Sequence, residues 1–263
     1  RVELAVGDRV AQGLAVEARL GDRLLDQSDD HVHQALNLTF RAWSYVDTSD
    51  AFRASGGKGL NVTLPFKGEA YRYAARRSQR AEAAQAVNTL AFGEDAFGDT
   101  TDGVGLVRDL ARHVGFELEG RAVLLMGAGG AAQGVVQALQ EAGIATLTIA
   151  NRTQPKARAL AQRFGCEAAG YGALAGRRFD LVVNATSAGL AGEAPQLPEG
   201  LLRPGVLAYD MVYGRDTPFL AAARAAGARA SDGLGMLLEQ AAESFFLWRR
   251  VRPDTAALLA ELR

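Results

Sequence analysis

The sequence contains a single cysteine, Cys166, so the chain cannot form an internal disulfide. No apolar run approaches the roughly 18 residues that a membrane-spanning helix needs, and no leader-like charged and apolar segment precedes the fold. The formal net charge is only −1, which gives no electrostatic reason to expect a nucleic acid or an acidic membrane as partner. These absences favour a reducing, cytoplasmic compartment and a small-molecule partner, with no nucleic acid and no membrane bound.

Lysine is also scarce, because only Lys58, Lys67 and Lys156 accompany 26 arginines. Arg does not release its proton near neutral pH, so a chain with this bias keeps Lys most readily where a compact or deprotonatable ammonium is needed. The alternative is that three lysines remain by chance, and the count alone does not decide between the two.

The second half of the chain alternates short apolar runs with helical patterns, which is typical of parallel strands joined by helices. The predicted strands are residues 121–126, 145–150, 179–184 and 206–211, and the predicted helices are residues 131–142 and 157–164. We therefore predict a doubly wound α/β sheet of the Rossmann type in this half.

The first half predicts a separate α/β layer, and the 263 residues are enough for two domains with their own cores. Its predicted strands are residues 59–63 and 86–92, and its predicted helices are residues 67–84 and 102–113. Two further helices, residues 236–250 and 255–262, are expected to fold back onto this layer. The predicted division is a substrate-binding, catalytic domain (1–114), a dinucleotide-binding domain (115–235) and returning C-terminal helices (236–263).

A glycine-rich turn lies between the first strand and the first helix of the second half, which is the context that a dinucleotide fingerprint requires. Gly127 allows the tight turn, Gly129 lets the backbone approach a pyrophosphate, and the small Ala132 permits close helix packing. The phosphates are expected at the helix N-terminus. The predicted contacts are Gly127, Ala128, Gly129, Gly130 and Ala131. The alternative is a glycine turn without a ligand.

The next strand is followed by Asn151, Arg152 and Thr153, with Lys156 close behind. An NAD enzyme places an Asp or Glu here for the ribose hydroxyls, whereas a guanidinium and an ammonium suit a 2′-phosphate. We therefore favour NADP over NAD, against the alternative that these are solvated residues at a helix start. Thr186 and Ser187, after a further strand, could line the cofactor groove, although such residues also make caps and turns.

Three polar clusters of the first half contain candidate catalytic residues, namely residues 61–67, 87–89 and 99–103. The first ends a strand in polar residues, turns at Pro65 and places Lys67 at the start of a helix. Each cluster alone is explained as well by local backbone hydrogen bonds, and Asp102 by a helix N-cap.

Taken together, seven motifs resemble the ordered motif set of the shikimate dehydrogenase family. They are residues 61–67, 86–89, 101–103, 127–131, 151–153, 184–189 and 232–240. The resemblance covers about residues 50–263. It implies a cytoplasmic oxidoreductase that reversibly reduces 3-dehydroshikimate to shikimate with NADPH, in chorismate and aromatic amino-acid biosynthesis.

The resemblance also implies residue roles. Lys67 and Asp102 match the catalytic pair, in which the ammonium meets the reacting oxygen and the carboxylate orients it. The matched substrate-binding residues are Asn61, Thr63, Asn88, Tyr213 and Gln240. The matched residues around the nicotinamide are Met211, Gly233 and Met236. No metal is implied, and the chain is expected to be a monomer or a homodimer.

The N-terminal segment departs from the family, whose paired serines hold the substrate carboxylate. The nearest match puts Gly13 and Ala15 where the serines belong, and neither side chain can donate a hydrogen bond. A second candidate puts Asp29 and Asp30 there, which would repel a carboxylate. Thr100 is a smaller departure, since the family usually has Asn. Two alternatives therefore stay open: a related quinate or other polyol dehydrogenase, and a non-catalytic NADP-binding module.

Overall fold

The computed structural model describes residues 45–63, 65–186, 188 and 197–263. Its first layer is a sheet in the order β1-β3-β4-β2, where β3 pairs antiparallel with β1 and β4, and β2 pairs parallel with β4. The elements of this layer are α1 (Tyr45–Ala54), β1 (Gly59–Asn61), α2 (Lys67–Tyr73), β2 (Arg76–Arg77), α3 (Gln79–Ala84), β3 (Thr89–Phe92), β4 (Ala96–Asp99) and α4 (Asp102–Asp109), which continues into a π-helical turn (Leu110–Val114).

The single helix predicted over residues 67–84 is wrong, because the structure has two short helices there, α2 and α3, with β2 between them. Ala74 leaves the helical conformation, and its carbonyl accepts a hydrogen bond from Arg77 Nη1 at 2.5 Å. Ser78 then starts α3, since its hydroxyl accepts from the Ala81 N–H at 3.1 Å. A serine inside a helical pattern can serve as such an N-cap, and here it does.

The second layer is a parallel sheet in the order β10-β9-β8-β5-β6-β7, the doubly wound order of dinucleotide-binding folds. The predicted α/β fold class is confirmed. The elements are β5 (Ala122–Met126), α5 (Gly130–Glu141), β6 (Thr146–Ala150), α6 (Gln154–Phe164), β7 (Glu167–Ala169), a 3₁₀ turn (Tyr171–Leu174), β8 (Leu181–Asn184), β9 (Leu207–Asp210), α7 (Pro218–Ala225) and β10 (Arg229–Ser231).

Strand β5 shows why the central strands of this sheet are largely apolar. Val123 and Leu125 pack into one core, whereas Leu124 and Met126 pack into another on the opposite face. A parallel sheet covered on both faces by helices has no solvent side, so alternation of apolar and polar residues is lost. This explains the uninterrupted apolar run that predicted the strand.

The last helices, α8 (Leu234–Arg249) and α9 (Thr255–Leu262), return to the first layer. Trp248 Nε1 donates to the Leu90 carbonyl of β3 at 2.9 Å, and Glu243 of α8 forms an ion pair with Arg108 of α4 at 2.8 Å. None of the helices among the described residues is long and apolar enough to cross a membrane. We propose that the domain boundaries lie at 114/115 and 235/236, because the two sheets share no strand and α8 leads back to the first.

Candidate active site

Lys67 and Asp102 form a buried ion pair between the starts of two helices. Lys67 is the first residue of α2 and Asp102 is the first residue of α4, which follows directly after β4. The distance from Lys67 Nζ to Asp102 Oδ2 is 2.5 Å, and the side chains are 10% and 7% exposed. Asp102 therefore orients the ammonium of Lys67. The N-terminus of α4 also stabilises the negative charge of Asp102.

Asn88 supports this pair from the entrance to β3. Its Nδ2 lies 2.9 Å from Asp102 Oδ1, 2.9 Å from Thr101 Oγ1 and 3.1 Å from Gln240 Oε1, so its two hydrogens serve two of these three acceptors at a time. Its Oδ1 accepts from the Thr101 N–H at 2.8 Å. Both oxygens of Asp102 are thus held, one by Lys67 and the other by Asn88.

Helix α8 completes the site through residues one turn apart on the same face. Gln240 reaches Asn88, and its carbonyl accepts from Ser244 Oγ at 3.0 Å. Ser244 Oγ also lies 2.8 Å from Thr89 Oγ1, which donates to Asn88 Oδ1 at 2.9 Å. The residue roles assigned from the sequence left out Thr89 and Ser244. The spacing of Ser244 four residues after Gln240 is the signal that could have found it.

Two of the other predicted substrate residues, Asn61 and Thr63, lie beside this cluster, and Tyr213 lies against the last two helices. Asn61 ends β1, and its Oδ1 is buried without a hydrogen-bond partner among the described residues. Thr63 is exposed, and its carbonyl accepts from the Phe66 N–H at 3.0 Å in the turn before Lys67. Tyr213 is half-buried and packs against the apolar cluster of α8 and α9. A buried, unpartnered acceptor such as Asn61 Oδ1 is suited to a ligand hydroxyl.

The glycine-rich turn lies directly against the Lys67–Asp102 pair. Gly127 has a φ of +114°, and a Cβ there would lie 2.8 Å from the Ala185 carbonyl, so only glycine fits. A Cβ on Gly130, the first residue of α5, would lie 3.5 Å from Lys67 Cβ. The structure therefore brings the predicted phosphate-binding turn and the predicted catalytic lysine together.

One turn further along α5, Gly134 makes an even closer approach. A Cβ on Gly134 would lie 2.9 Å from Asp102 Oδ2 and 3.2 Å from Thr100 Oγ1. Helix α5 can thus lie this close to Asp102 only because Gly134 has no side chain. Gly134 was absent from the residues that the sequence singled out, because only the tertiary contact makes it important.

The residues predicted to bind the 2′-phosphate lie at the carboxyl end of β6, beside the glycine-rich turn that follows β5. They are Asn151, Arg152, Thr153 and Lys156. Arg152 and Lys156 are exposed, and Asn151 Nδ2 donates to the Thr153 carbonyl at 3.0 Å. The structure places this group at the same edge of the sheet as the glycine-rich turn, where ligands of open parallel sheets bind.

The residues predicted around the nicotinamide lie after β9 and β10, and the predicted groove residue Thr186 lies after β8. Thr186 donates to Asn184 Oδ1 through its N–H at 3.2 Å and its hydroxyl at 2.7 Å. A Cβ on Gly233 would lie 2.6 Å from the Met211 carbonyl, and Met236 is buried nearby in the first turn of α8. These three segments are therefore adjacent. Five residues singled out from the sequence lie outside the described residues, namely Gly13, Ala15, Asp29, Asp30 and Ser187.

The Rossmann-type sheet, the glycine turn at the start of α5 and the adjoining Lys67–Asp102 pair define an α/β dehydrogenase. Family models agree along most of the chain: shikimate dehydrogenase substrate binding domain at residues 29–90, shikimate / quinate 5-dehydrogenase at 109–191, and shikimate 5'-dehydrogenase C-terminal domain at 233–263. The chain belongs to the shikimate dehydrogenase family. The match starts at residue 29, earlier than the limit near residue 50 set by the motifs.

Relatives extend over most of the chain. The NADP(+) shikimate dehydrogenase of Aromatoleum aromaticum is 58% identical over 229 residues, which are 83% of this chain and 82% of the relative. The crystal structure of an Ael1 enzyme from Pseudomonas putida has a TM-score of 0.84 and 41% identity, over 95% of this chain and 93% of that one. Shikimate 5-dehydrogenase from Thermus thermophilus, in complex with NADP(H) and shikimate, has a TM-score of 0.80 and 33% identity, over 95% and 94%.

Proposed function

We propose that this chain is an NADP-dependent shikimate dehydrogenase that interconverts shikimate and 3-dehydroshikimate on the route through chorismate to aromatic amino acids. The observation that carries the proposal is the buried Lys67–Asp102 pair, 2.5 Å apart, against the glycine-rich turn of a dinucleotide-binding sheet. The names of the relatives, and the NADP(H) and shikimate in the Thermus thermophilus structure, support the same assignment. We further propose that it acts in the cytoplasm as a monomer or a homodimer.

The residues at the carboxyl edge of the parallel sheet fit a phosphorylated dinucleotide. A Cβ on Gly129 would meet no atom of the described residues within 4 Å, so among them the backbone at the start of α5 is open to a pyrophosphate. Arg152 and Lys156 are exposed and supply two positive charges for a 2′-phosphate. The residues that would hold NADP are Gly127, Ala128, Gly129, Gly130, Ala131, Asn151, Arg152, Thr153, Lys156, Thr186, Ser187, Met211, Gly233 and Met236.

When bound, NADP supplies the hydride acceptor, or in the reverse direction NADPH supplies the hydride donor. Lys67 moves the proton at the reacting oxygen: as the neutral amine it accepts the hydroxyl proton when shikimate is oxidised, and as the ammonium it returns that proton when the ketone is reduced. Asp102 holds Nζ in position for this transfer, and Asn88 holds the second oxygen of Asp102. Arg at position 67 would keep the charge but not the proton transfer, because a guanidinium does not deprotonate near neutral pH.

Neutral hydrogen-bonding side chains around the pair suit a ring that carries several hydroxyls. Asn61 offers a buried oxygen without a partner among the described residues, and Gln240 reaches Asn88 from α8. Thr63 and Tyr213 complete the proposed substrate-binding set with Asn88. These donors and acceptors recognise hydroxyl groups without attracting charged competitors.

The test is NADP+ reduction, followed by absorbance, with shikimate, with quinate and without substrate. Lys67→Ala should abolish turnover, because the proton at the reacting oxygen then has no carrier. Lys58→Ala is the matched control, since Lys58 is exposed and lies before β1 rather than in the site. Saturable turnover of shikimate that is lost only in Lys67→Ala is the expected result. Turnover of quinate alone would assign the polyol alternative, and NADPH binding without any turnover would assign the non-catalytic one.

A further inference from the structure

A fully buried carboxylate lies outside the residues assigned so far. Asp210 is the last residue of β9 and is 0% exposed. Its Oδ2 accepts from Thr217 Oγ1 at 2.6 Å and from Asn184 Nδ2 at 3.2 Å. Its Oδ1 accepts from the Val212 N–H at 3.1 Å. Burial raises the pKa of the Asp210 carboxyl, and the hydrogen bonds from Thr217, Val212 and Asn184 oppose that rise.

Asn184 is the register partner of Asp210 and makes the corresponding contacts on the neighbouring strand. It is the last residue of β8 and is also 0% exposed. Its Oδ1 accepts from the N–H and the hydroxyl of Thr186, and its carbonyl accepts from the Met211 N–H at 3.0 Å. Each of the two side chains therefore binds the backbone of the loop that follows its own strand.

Apart from the bond that joins them, the two side chains contact the loops and not the backbone of the sheet. The ladder between β8 and β9 consists of backbone bonds and does not depend on either side chain. A buried carboxyl and amide are expensive to desolvate, and apolar residues of the same volume would pack a sheet at least as well. The polar pair instead fixes the backbone of the two loops, at Thr186 and at Val212.

We propose that Asp210, together with Asn184 and Thr217, is the positioning group that holds the loops after β8 and β9 in the geometry that hydride transfer requires. The loops carry Thr186, Met211 and Tyr213, and Gly233 packs against the Met211 carbonyl. The inference deepens the proposed function and rests on it, since these are the residues assigned to the nicotinamide and the substrate.

The chain offers variants that separate loop positioning from stability. Thr217→Val removes the hydroxyl that donates to Asp210. It also removes the N-cap of α7, because Thr217 Oγ1 accepts from the Leu220 N–H at 3.3 Å. Thr217→Ser keeps both bonds. Asp254→Ala is the matched control for the lost cap, since Asp254 caps α9 at its exposed start. Asp210→Asn keeps the volume and loses at least one acceptor, so it replaces Thr217→Val if that variant does not fold.

We expect kcat for NADP+ reduction with shikimate to fall about tenfold or more in Thr217→Val and Asp210→Asn, as expected for one lost bond to a charged group. The kcat of Thr217→Ser should lie within about threefold of that of the unaltered protein, and the kcat of Asp254→Ala should equal that of the unaltered protein. Both variants keep the bonds to Asp210. The Kd for NADPH should change by less than about threefold, since the phosphates bind elsewhere. Equal losses in the Ser and Val variants, or a Val variant that behaves like Asp254→Ala, would overturn the inference.

A second measurement separates this inference from the proposed function. The fluorescence of bound NADPH responds to the surroundings of the nicotinamide, so it is recorded for every variant whether or not shikimate is turned over. If the unaltered protein binds NADPH but leaves shikimate unchanged, the proposed function fails. The inference still stands in that case if Thr217→Val alters the emission of bound NADPH and Thr217→Ser does not, and it fails if neither does.

Discussion

Replacement of Gly134 by alanine tests whether helix α5 controls the position of the Asp102 carboxylate. The added Cβ would lie 2.9 Å from Asp102 Oδ2, where ordinary contacts begin at 3.4 Å, so one of them must move by 0.5 Å (3.4 − 2.9). The same oxygen accepts from Lys67 at 2.5 Å, and Oδ1 accepts from Asn88 at 2.9 Å. It therefore moves only by disturbing one of these two bonds.

The free-energy terms of this substitution separate stability from activity. Alanine is favoured over glycine inside a helix by about 1 kcal/mol, and overpacking costs about 1 to 3 kcal/mol, so the unfolding free energy should fall by no more than about 2 kcal/mol. A hydrogen bond to a charged group contributes about 1.5 to 3 kcal/mol, which corresponds to about a ten- to a hundredfold fall in kcat.

The assay is steady-state NADP+ reduction with shikimate beside chemical denaturation of the same preparations. Gly172→Ala is the matched control, because a Cβ on Gly172 would meet no atom of the described residues within 4 Å. It should leave both quantities unchanged. Gly134→Ala with an unaltered kcat would refute the idea that Asp102 is held between α5 and Lys67.

Two further predictions follow from charges on the described surface and in the α4–α8 contact. Burial acts to raise the pKa of Glu243, but hydrogen bonds from Arg252 and Arg108 outweigh it and lower that pKa from 4.5 to about 2. The ionised form of Glu243 therefore stabilises the folded protein above about pH 4.5, and this stabilisation is lost as the pH falls toward 2. Glu243→Gln should thus be less stable at pH 7 and should show a flatter acid denaturation profile than the unaltered protein. Parallel denaturation profiles would contradict this. Arg152→Ser should raise KM for NADPH about ten- to a hundredfold and leave KM for NADH unchanged, and an equal rise for both would exclude a 2′-phosphate contact.

The centre of the parallel sheet was predictable from the sequence because β5, β6, β8 and β9 are buried along most of their length. The predicted strand at residues 121–126 differs from β5 by a single residue at one end. The first layer was less predictable. Strand β4 (Ala96–Asp99) has only two apolar residues, Ala96 and Phe97, and β2 (Arg76–Arg77) is two residues long, so neither produces a recognisable pattern.

The candidate site could be proposed only in part from the sequence. The motifs pointed to Lys67 and Asp102 through a resemblance, but residue spacing does not reveal that two side chains 35 positions apart lie at 2.5 Å. Gly134 and Asp210 needed the tertiary structure, since one acts by lacking a side chain and the other by contacts across two strands.

The bond between Asn88 and Gln240 joins positions 152 residues apart, and the whole parallel sheet lies between them along the chain. Closing so long a loop is entropically costly until the intervening sheet has brought its ends together. On a growing chain, the dinucleotide-binding sheet can therefore assemble before Gln240 is available, and the substrate side is completed only when α8 has been made.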